Sequence, residues 1–361
     1  MANSAGARNL AGIKKTVFRT GMEALYFTGA HRLLQPLLGG VGAILTLHHV
    51  RPPRDAAFQP NRLLEVAPAF LEDVLKGLRR AGVDLVSLDE MHRRLTECDF
   101  RRRFMCLTFD DGYRDNLQYA LPILKKYDAP FALYVPTSFP DRTGELWWLT
   151  LEAVIARQMR VALVMNGEDR RYDCDSVEAK YELYEHIYWW LRRLPGEDDL
   201  RATVRDLASR YGVDPAAFCR DLCMTWQEIG EIASDPLATI GAHTVNHVML
   251  GKSTDEAVRT EMQVSASVIE AALCKQPVHF SYPVGDRTSA GQREFRIAAQ
   301  AGFKTAVTTR PGALFPEHAA HLTALPRISL NGEYQQRRYA KVLTSGVATA
   351  VFNRFRRVDA A

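Results

Sequence analysis

Two adjacent carboxylates, Asp110 and Asp111, follow the apolar run Phe104 to Phe109, and two imidazoles, His243 and His247, follow a second apolar run, Leu237 to Ala242. These are side chains that metal-assisted hydrolysis requires. Neighbouring residues leaving an extended strand point to different sides of the chain, so one Asp can hold a cation while the other stays free to take a proton; Gly112 permits the turn that follows. Reading Asp111 as a helix N-cap explains one acid and leaves the other without a task. Histidines at i and i+4 come onto one face if the chain turns helical after the strand, a spacing at which two imidazoles share one divalent ion. One carboxylate and two imidazoles leave coordination positions open, as a catalytic centre requires. A third strand end, Phe280-Ser281-Tyr282-Pro283-Val284-Gly285, is suited to presenting backbone N–H groups to a developing oxyanion.

Residues so distant in sequence meet only if the elements carrying them are arranged around one centre. Short apolar runs at Ala43 to Leu47, Val83 to Leu88, Phe104 to Phe109 and Phe131 to Val135 alternate with helical patterns, such as Phe70, Leu71, Val74, Leu75 and Leu78 before Gly82. That rhythm indicates parallel βα units and an α/β fold. It breaks after Phe139 and returns with strands near 237–242, 278–282, 305–308 and 324–329. The expected division is an amphipathic helical segment at 1–41, a barrel at 42–140 and 227–335, a helical insertion at 141–226 and a basic tail at 336–361. Tyr181, Tyr184, Ile187, Tyr188 and Leu191 form the packing stripe of the insertion.

Taken in order, Thr108-Phe109-Asp110-Asp111-Gly112, His243-Thr244-x-x-His247 and Phe280-Ser281-Tyr282-Pro283-x-Gly285 resemble the motifs of the NodB-homology polysaccharide deacetylases, carbohydrate esterase family 4. The match covers about residues 42–330. Leu45-Thr46-Leu47-His48 resembles the first strand motif of the subgroup that has an aromatic-x-Tyr-Pro-x-Gly third motif and includes chitooligosaccharide deacetylases. The resemblance implies a distorted (β/α) barrel of six to eight strands and a hydrolase of linear amides that deacetylates N-acetylated carbohydrates. It further implies Zn2+, or Co2+, Mn2+ or Ni2+, held by Asp111, His243 and His247, with Asp110 as general base. The oxyanion would be met by the metal and by a backbone N–H near Tyr282 and Pro283.

Two departures accompany the match. Ser281 stands where the family has an Arg that orients the base, and Arg327 is the expected stand-in. Leu325-Pro326-Arg327-Ile328 replaces the family's Leu-x-His, whose His protonates the leaving amine. His318 and His321 lie in a loop before that strand and do not fit the pattern. His48, directly after a buried strand, is therefore the expected general acid, opposite the metal from Asp110, with His49 as second choice.

Composition narrows the alternatives. Hydrophobic residues at 47% and charged residues at 24% describe a globular protein, and a formal net charge of +4 from 46 Lys+Arg and 42 Asp+Glu makes nucleic acid an unexpected partner. The six cysteines form no CxxC and read as free thiols, consistent with a cytoplasmic location. Ile13 to Leu38 is broken by Arg19, Glu23, His31, Arg32 and Pro36 before a signal-peptide core develops, and with Lys14, Lys15 and Arg19 at its start it reads as an amphipathic helix docked on the domain, with peripheral contact with the inner membrane face as the alternative. No G-x-S-x-G supports a serine hydrolase. The competing readings are a carbohydrate-binding protein that lost turnover and an amidase acting on a non-sugar C–N bond.

Overall fold

A computed structural model describes residues 16–360. Eight strands make one sheet: β1 (Gly42–Leu47), β2 (Asp84–Leu85), β3 (Phe104–Phe109), β4 (Phe131–Val135), β5 (Ala238–Ala242), β6 (His279–Ser281), β7 (Thr305–Pro311) and β8 (Leu325–Ser329). Every pairing is parallel, and β1 pairs with both β3 and β8, so seven strands close in the order β1-β3-β4-β5-β6-β7-β8. The short β2 lies along the start of β3. Closure leaves the seven strands no free edge, and β1, β3 and β4 are buried along their whole length, which is why they read as continuous apolar runs rather than alternating ones.

The Pro68–Arg80 helix forms as its spacing predicts, with Phe70, Leu71, Val74, Leu75 and Leu78 buried and Pro68 in its first turn. The expected strand at Val83 to Leu88 shrinks to two residues. Ser87 ends it by accepting a hydrogen bond from the Glu90 N–H, which caps the next helix.

The insertion is not wholly helical. A hairpin, Arg160–Met165 with Glu168–Asp173, interrupts its helices Trp147–Arg157, Val177–Arg193, Glu197–Arg210 and Pro215–Leu222. Alternating buried Val161, Leu163 and Met165 and an Asn166-Gly167 turn with both φ angles positive (55° and 79°) were hairpin signals inside a charged stretch. Tyr184, Ile187 and Leu191 pack into a core shared with Leu151, Val204 and Cys219, while Tyr181 stays at the edge.

The terminal segments also differ in part from expectation. Much of 336–361 is structured: helices Arg337–Ser345 and Val347–Phe352 bury Tyr339, Val342, Leu343, Val347 and Ala348, an apolar pattern that flanking arginines obscure. At the other end, residues 16–27 are helical and bury Met22 against the barrel. Ile13, Lys14 and Lys15 lie outside the described residues. No helix among the described residues is long and apolar enough to cross a membrane. All six cysteines are free.

Candidate active site

Because the barrel strands run parallel, their C-terminal ends gather on one face. Asp110 and Asp111 leave β3 there, and Asp111 (φ 72°) and Gly112 (φ 64°) both take left-handed backbone that turns the chain sharply. Asp111 Oδ1 lies 3.6 Å from His243 Nε2 and 3.3 Å from His247 Nε2, with all three residues buried. His243 Nδ1 lies 2.7 Å from the Ser281 carbonyl oxygen. A carbonyl only accepts, so Nδ1 carries the proton and the Nε2 lone pair faces Asp111. Asp111 Oδ1 is buried without a hydrogen-bond partner. Burial alone would raise the Asp111 pKa, but His247 and His243 outweigh it and hold the carboxyl well below its ordinary range. An ionised oxygen without a hydrogen bond, facing two imidazole nitrogens, fits a divalent cation.

The two histidines converge by a route other than the expected helical turn. Residues 243–249 are irregular, and Thr244 (φ 66°) and His247 (φ 54°) adopt left-handed backbone. Thr244 Oγ1 accepts from the His247 N–H at 2.9 Å, and the Glu261 carboxylate accepts from the Val245 and Asn246 amides at 2.7 and 3.0 Å. These local side-chain bonds supply what a helix would have given the loop. The insertion holds the same loop: buried Arg201 donates to the Asn246 carbonyl at 2.6 Å, and Trp148 packs 5.0 Å from the His247 ring. Arg201→Met should therefore weaken divalent-ion binding by about tenfold or more, by loosening the support behind His247. Zinc titration against a competing chelator measures this, and unchanged affinity would mean that the loop is held without Arg201.

Asp110 points elsewhere. Arg327 on β8 forks onto it, with Nη1–Oδ1 at 2.8 Å and Nη2–Oδ2 at 2.6 Å. The same guanidinium donates to Thr308 O, Thr108 Oγ1 and Ser281 Oγ at 2.8, 3.1 and 3.1 Å. Arg327 thus fills the barrel interior and occupies the role expected for an Arg at 281. Burial works to raise the Asp110 pKa, yet the Arg327 charge and hydrogen bonds, with smaller contributions from His243 and His48, bring it below the usual carboxylate value.

His48 and Asp110 each follow a barrel strand directly. Leu47 pairs with Phe109, and the Asp110 N–H donates to the Leu47 carbonyl, so the two residues follow neighbouring strands in register. Burial lowers the His48 pKa more than Asp111 and Asp110 raise it. His49 is engaged elsewhere, with Nδ1 2.6 Å from Asp115 Oδ2 and its ring on Tyr113. His318 is buried, its pKa pushed down to about 4, and its Nδ1 meets the Phe315 backbone.

The third motif needs correction. Tyr282 packs among Phe280 and Phe295, its hydroxyl donates to Thr323 O, and its N–H is spent on Val307 O. It is a core residue, with neither ring nor amide free for an oxyanion. Pro283 has no N–H, and the Gly285 N–H goes to Pro283 O. What the motif gives the centre is the Ser281 carbonyl that orients His243, a contribution that sequence reasoning missed.

Fold and site together define a closed parallel (β/α)-barrel protein with a buried Asp-His-His cluster and a separate Arg-held carboxylate at its C-terminal strand ends. The polysaccharide deacetylase family model matches residues 98–167 and 180–306, and the chain belongs to that family. It is 22% identical over 268 residues to YxkH of Bacillus subtilis (strain 168), whose name assigns it to the polysaccharide deacetylases; the alignment covers 74% of this chain and 66% of that protein. Among solved structures, the Streptococcus pyogenes deacetylase PplD in complex with acetate matches with a TM-score of 0.53 at 20% identity, covering 81% of this chain and 92% of that one. IcaB from Ammonifex degensii matches with a TM-score of 0.51 at 16% identity, over 84% and 97%. These structures share the barrel fold.

Proposed function

We propose that the chain is a metal-dependent hydrolase that removes N-acetyl groups from amino-sugar oligomers, polymers or glycolipids. The observation that carries this reading is the separation of two adjacent acids: Asp111 faces the imidazoles with an oxygen unpartnered, while Arg327 holds Asp110 apart from them. Asp111, His243 and His247 would hold one divalent ion, Zn2+ or one of Co2+, Mn2+ and Ni2+. Such an ion, when bound, polarises an amide carbonyl and makes water more acidic. Asp110, kept ionised by Arg327, accepts the proton of the attacking water. His48, which follows the neighbouring strand, is the group assigned to protonate the departing nitrogen. A neutral imidazole is a poor acid, so the proton gained by Asp110 must reach His48 first.

Acetate release from a panel of N-acetylglucosamine oligomers and acetylated glycans, with and without a chelator, tests the reading. Release that stops with chelator and returns with added metal is expected. No release from any member would favour a carbohydrate-binding protein, and equal release from simple non-sugar acetamides would favour a general amidase. With a substrate in hand, His48→Ala should lower kcat by about 10²–10⁴-fold with metal content unchanged. A variant of wild-type kcat would pass the acid role to another group or to solvent.

A further inference from the structure

The end of the barrel opposite the metal cluster has features that the proposed chemistry does not use. Arg103 precedes β3 and Asp110 follows it, so about 20 Å of strand separates the two ends. At the Arg103 end the helices from both termini pack together. The Phe18 and Phe352 rings lie 6.5 Å apart, and Arg103 donates to Gly39 O and Thr344 O at 2.8 and 2.7 Å. A cavity of about 470 Å³ opens between Ala30–Leu33, Pro68–Arg80 and Arg337–Ser345, and Arg32, Lys76, Arg80, Arg103 and Lys341 line it. Asp73, the one acid in its wall, is paired with Arg337. None of those five cations makes a salt bridge among the described residues, and burial without a carboxylate brings the Arg103 pKa down to about 10.

Beside the basic cavity, the N-terminal helices 16–27, Ala30–Leu33 and Gln35–Leu38 leave large apolar side chains in water. Phe27 is 74% exposed, Leu33 79% and Leu37 70%, with Val351, Phe352 and Phe355 exposed on the adjoining C-terminal segment. Isolated exposed apolar residues are ordinary; a group of them on packed helices, bordering unpaired cations, is the pattern of an interfacial surface. Nucleic acid would use the cations and leave the phenylalanines and leucines uncovered. A neutral protein partner would cover the apolar groups and leave the cations unmatched. An anionic bilayer meets both, since its phosphates attract Arg and Lys while its interface accepts apolar side chains.

We propose that this end of the barrel docks on an anionic phospholipid bilayer, with Phe27, Leu33, Leu37 and Phe352 entering the interface and the basic cavity receiving a lipid phosphate. Docked in this way, the chain presents the Asp-His-His end away from the bilayer, and its substrate arrives from the aqueous side.

The test is co-sedimentation of the full chain with vesicles of phosphatidylcholine alone or mixed with phosphatidylglycerol. Partitioning onto the anionic vesicles should exceed that onto neutral ones and fall with added salt. Lys76→Gln, Arg80→Gln and Lys341→Gln combined should reduce it by on the order of tenfold to a hundredfold. Leu33→Ser with Leu37→Ser, also exposed and remote from the metal cluster, should reduce it as well, with thermal unfolding unchanged in both variants. Equal partitioning onto both vesicle types, or a charge variant that binds as wild type, would overturn the proposal. So would binding abolished by inorganic phosphate at constant ionic strength, which marks a free-anion site, or a dimer that the Leu33/Leu37 variant dissolves without any vesicle binding.

Discussion

Asp110→Asn should retain the divalent ion and lose about 10²–10⁴-fold in kcat, because an amide fills the space of the carboxylate but cannot accept the water's proton. The ion is expected to stay because Asp110 is turned away from the His243 and His247 nitrogens and toward Arg327. The structure adds a second consequence. Asp110 and Arg327 are both essentially excluded from water, and removing one charge from such a pair strands the other at a cost of about 3–5 kcal/mol. The variant should therefore unfold at lower temperature, and activity must be measured well below its melting point. Full metal content with lost turnover supports Asp110 as the base; wild-type turnover on a verified substrate would remove it from that role.

The features most legible in sequence were those fixed by short-range chemistry. Alternating apolar runs and helical spacings foretold the barrel because strands buried on both faces have little compositional freedom. The convergence of Asp111, His243 and His247 could be foreseen because a carboxylate and two imidazoles at strand ends form a recognisable set of residue types. Arg327 stood out only because one arginine was missing from its usual place. Its fork onto Asp110 depends on β8 lying beside β1, a long-range pairing that no local pattern encodes.

The errors have a common cause as well. The i,i+4 histidines suggest a helix, yet two left-handed residues and backbone hydrogen bonds accepted by Thr244 Oγ1 and by the carboxylate of Glu261, fourteen residues beyond His247, shape the loop. The third motif suggests the neighbourhood of Tyr282 for the oxyanion, but burial assigns its ring to packing and a hydrogen bond to Val307 O takes its amide. Arg201 could not have been singled out, since it is one of many arginines in a charged helix and becomes important only where that helix meets the Asn246 carbonyl. In each case a partner outside the local stretch, Glu261, Val307 or Asn246, takes part in deciding the role.

Arg327→Met should carry a large effect of a different kind, because Arg327 acts on the chemistry through Asp110. In the wild type, Arg327 keeps the Asp110 pKa below its ordinary value against burial. A depressed folded-state pKa means that this pair stabilises the fold above the ordinary carboxylate range and loses that contribution as pH falls through the folded value. Without Arg327, burial is opposed only by the smaller contributions of His243 and His48 and the pKa rises, so the acid limb of the kcat/KM profile should move to higher pH and activity near neutrality should fall by about 10²-fold or more. A purely structural arginine would lower activity at every pH without moving the limb. Two double variants separate the possibilities further. Arg327→Met with Asp110→Asn removes both charges and should regain part of the stability lost by either single change, with no recovery of turnover. Ser281→Arg with Arg327→Ser returns the cation to β6 while roughly conserving volume, and the Ser281 Oγ already lies 3.5 Å from Asp110 Oδ2. That exchange should restore part of the activity and move the acid limb back toward lower pH; an exchanged variant no better than Arg327→Ser would mean that Asp110 needs its arginine to come from β8.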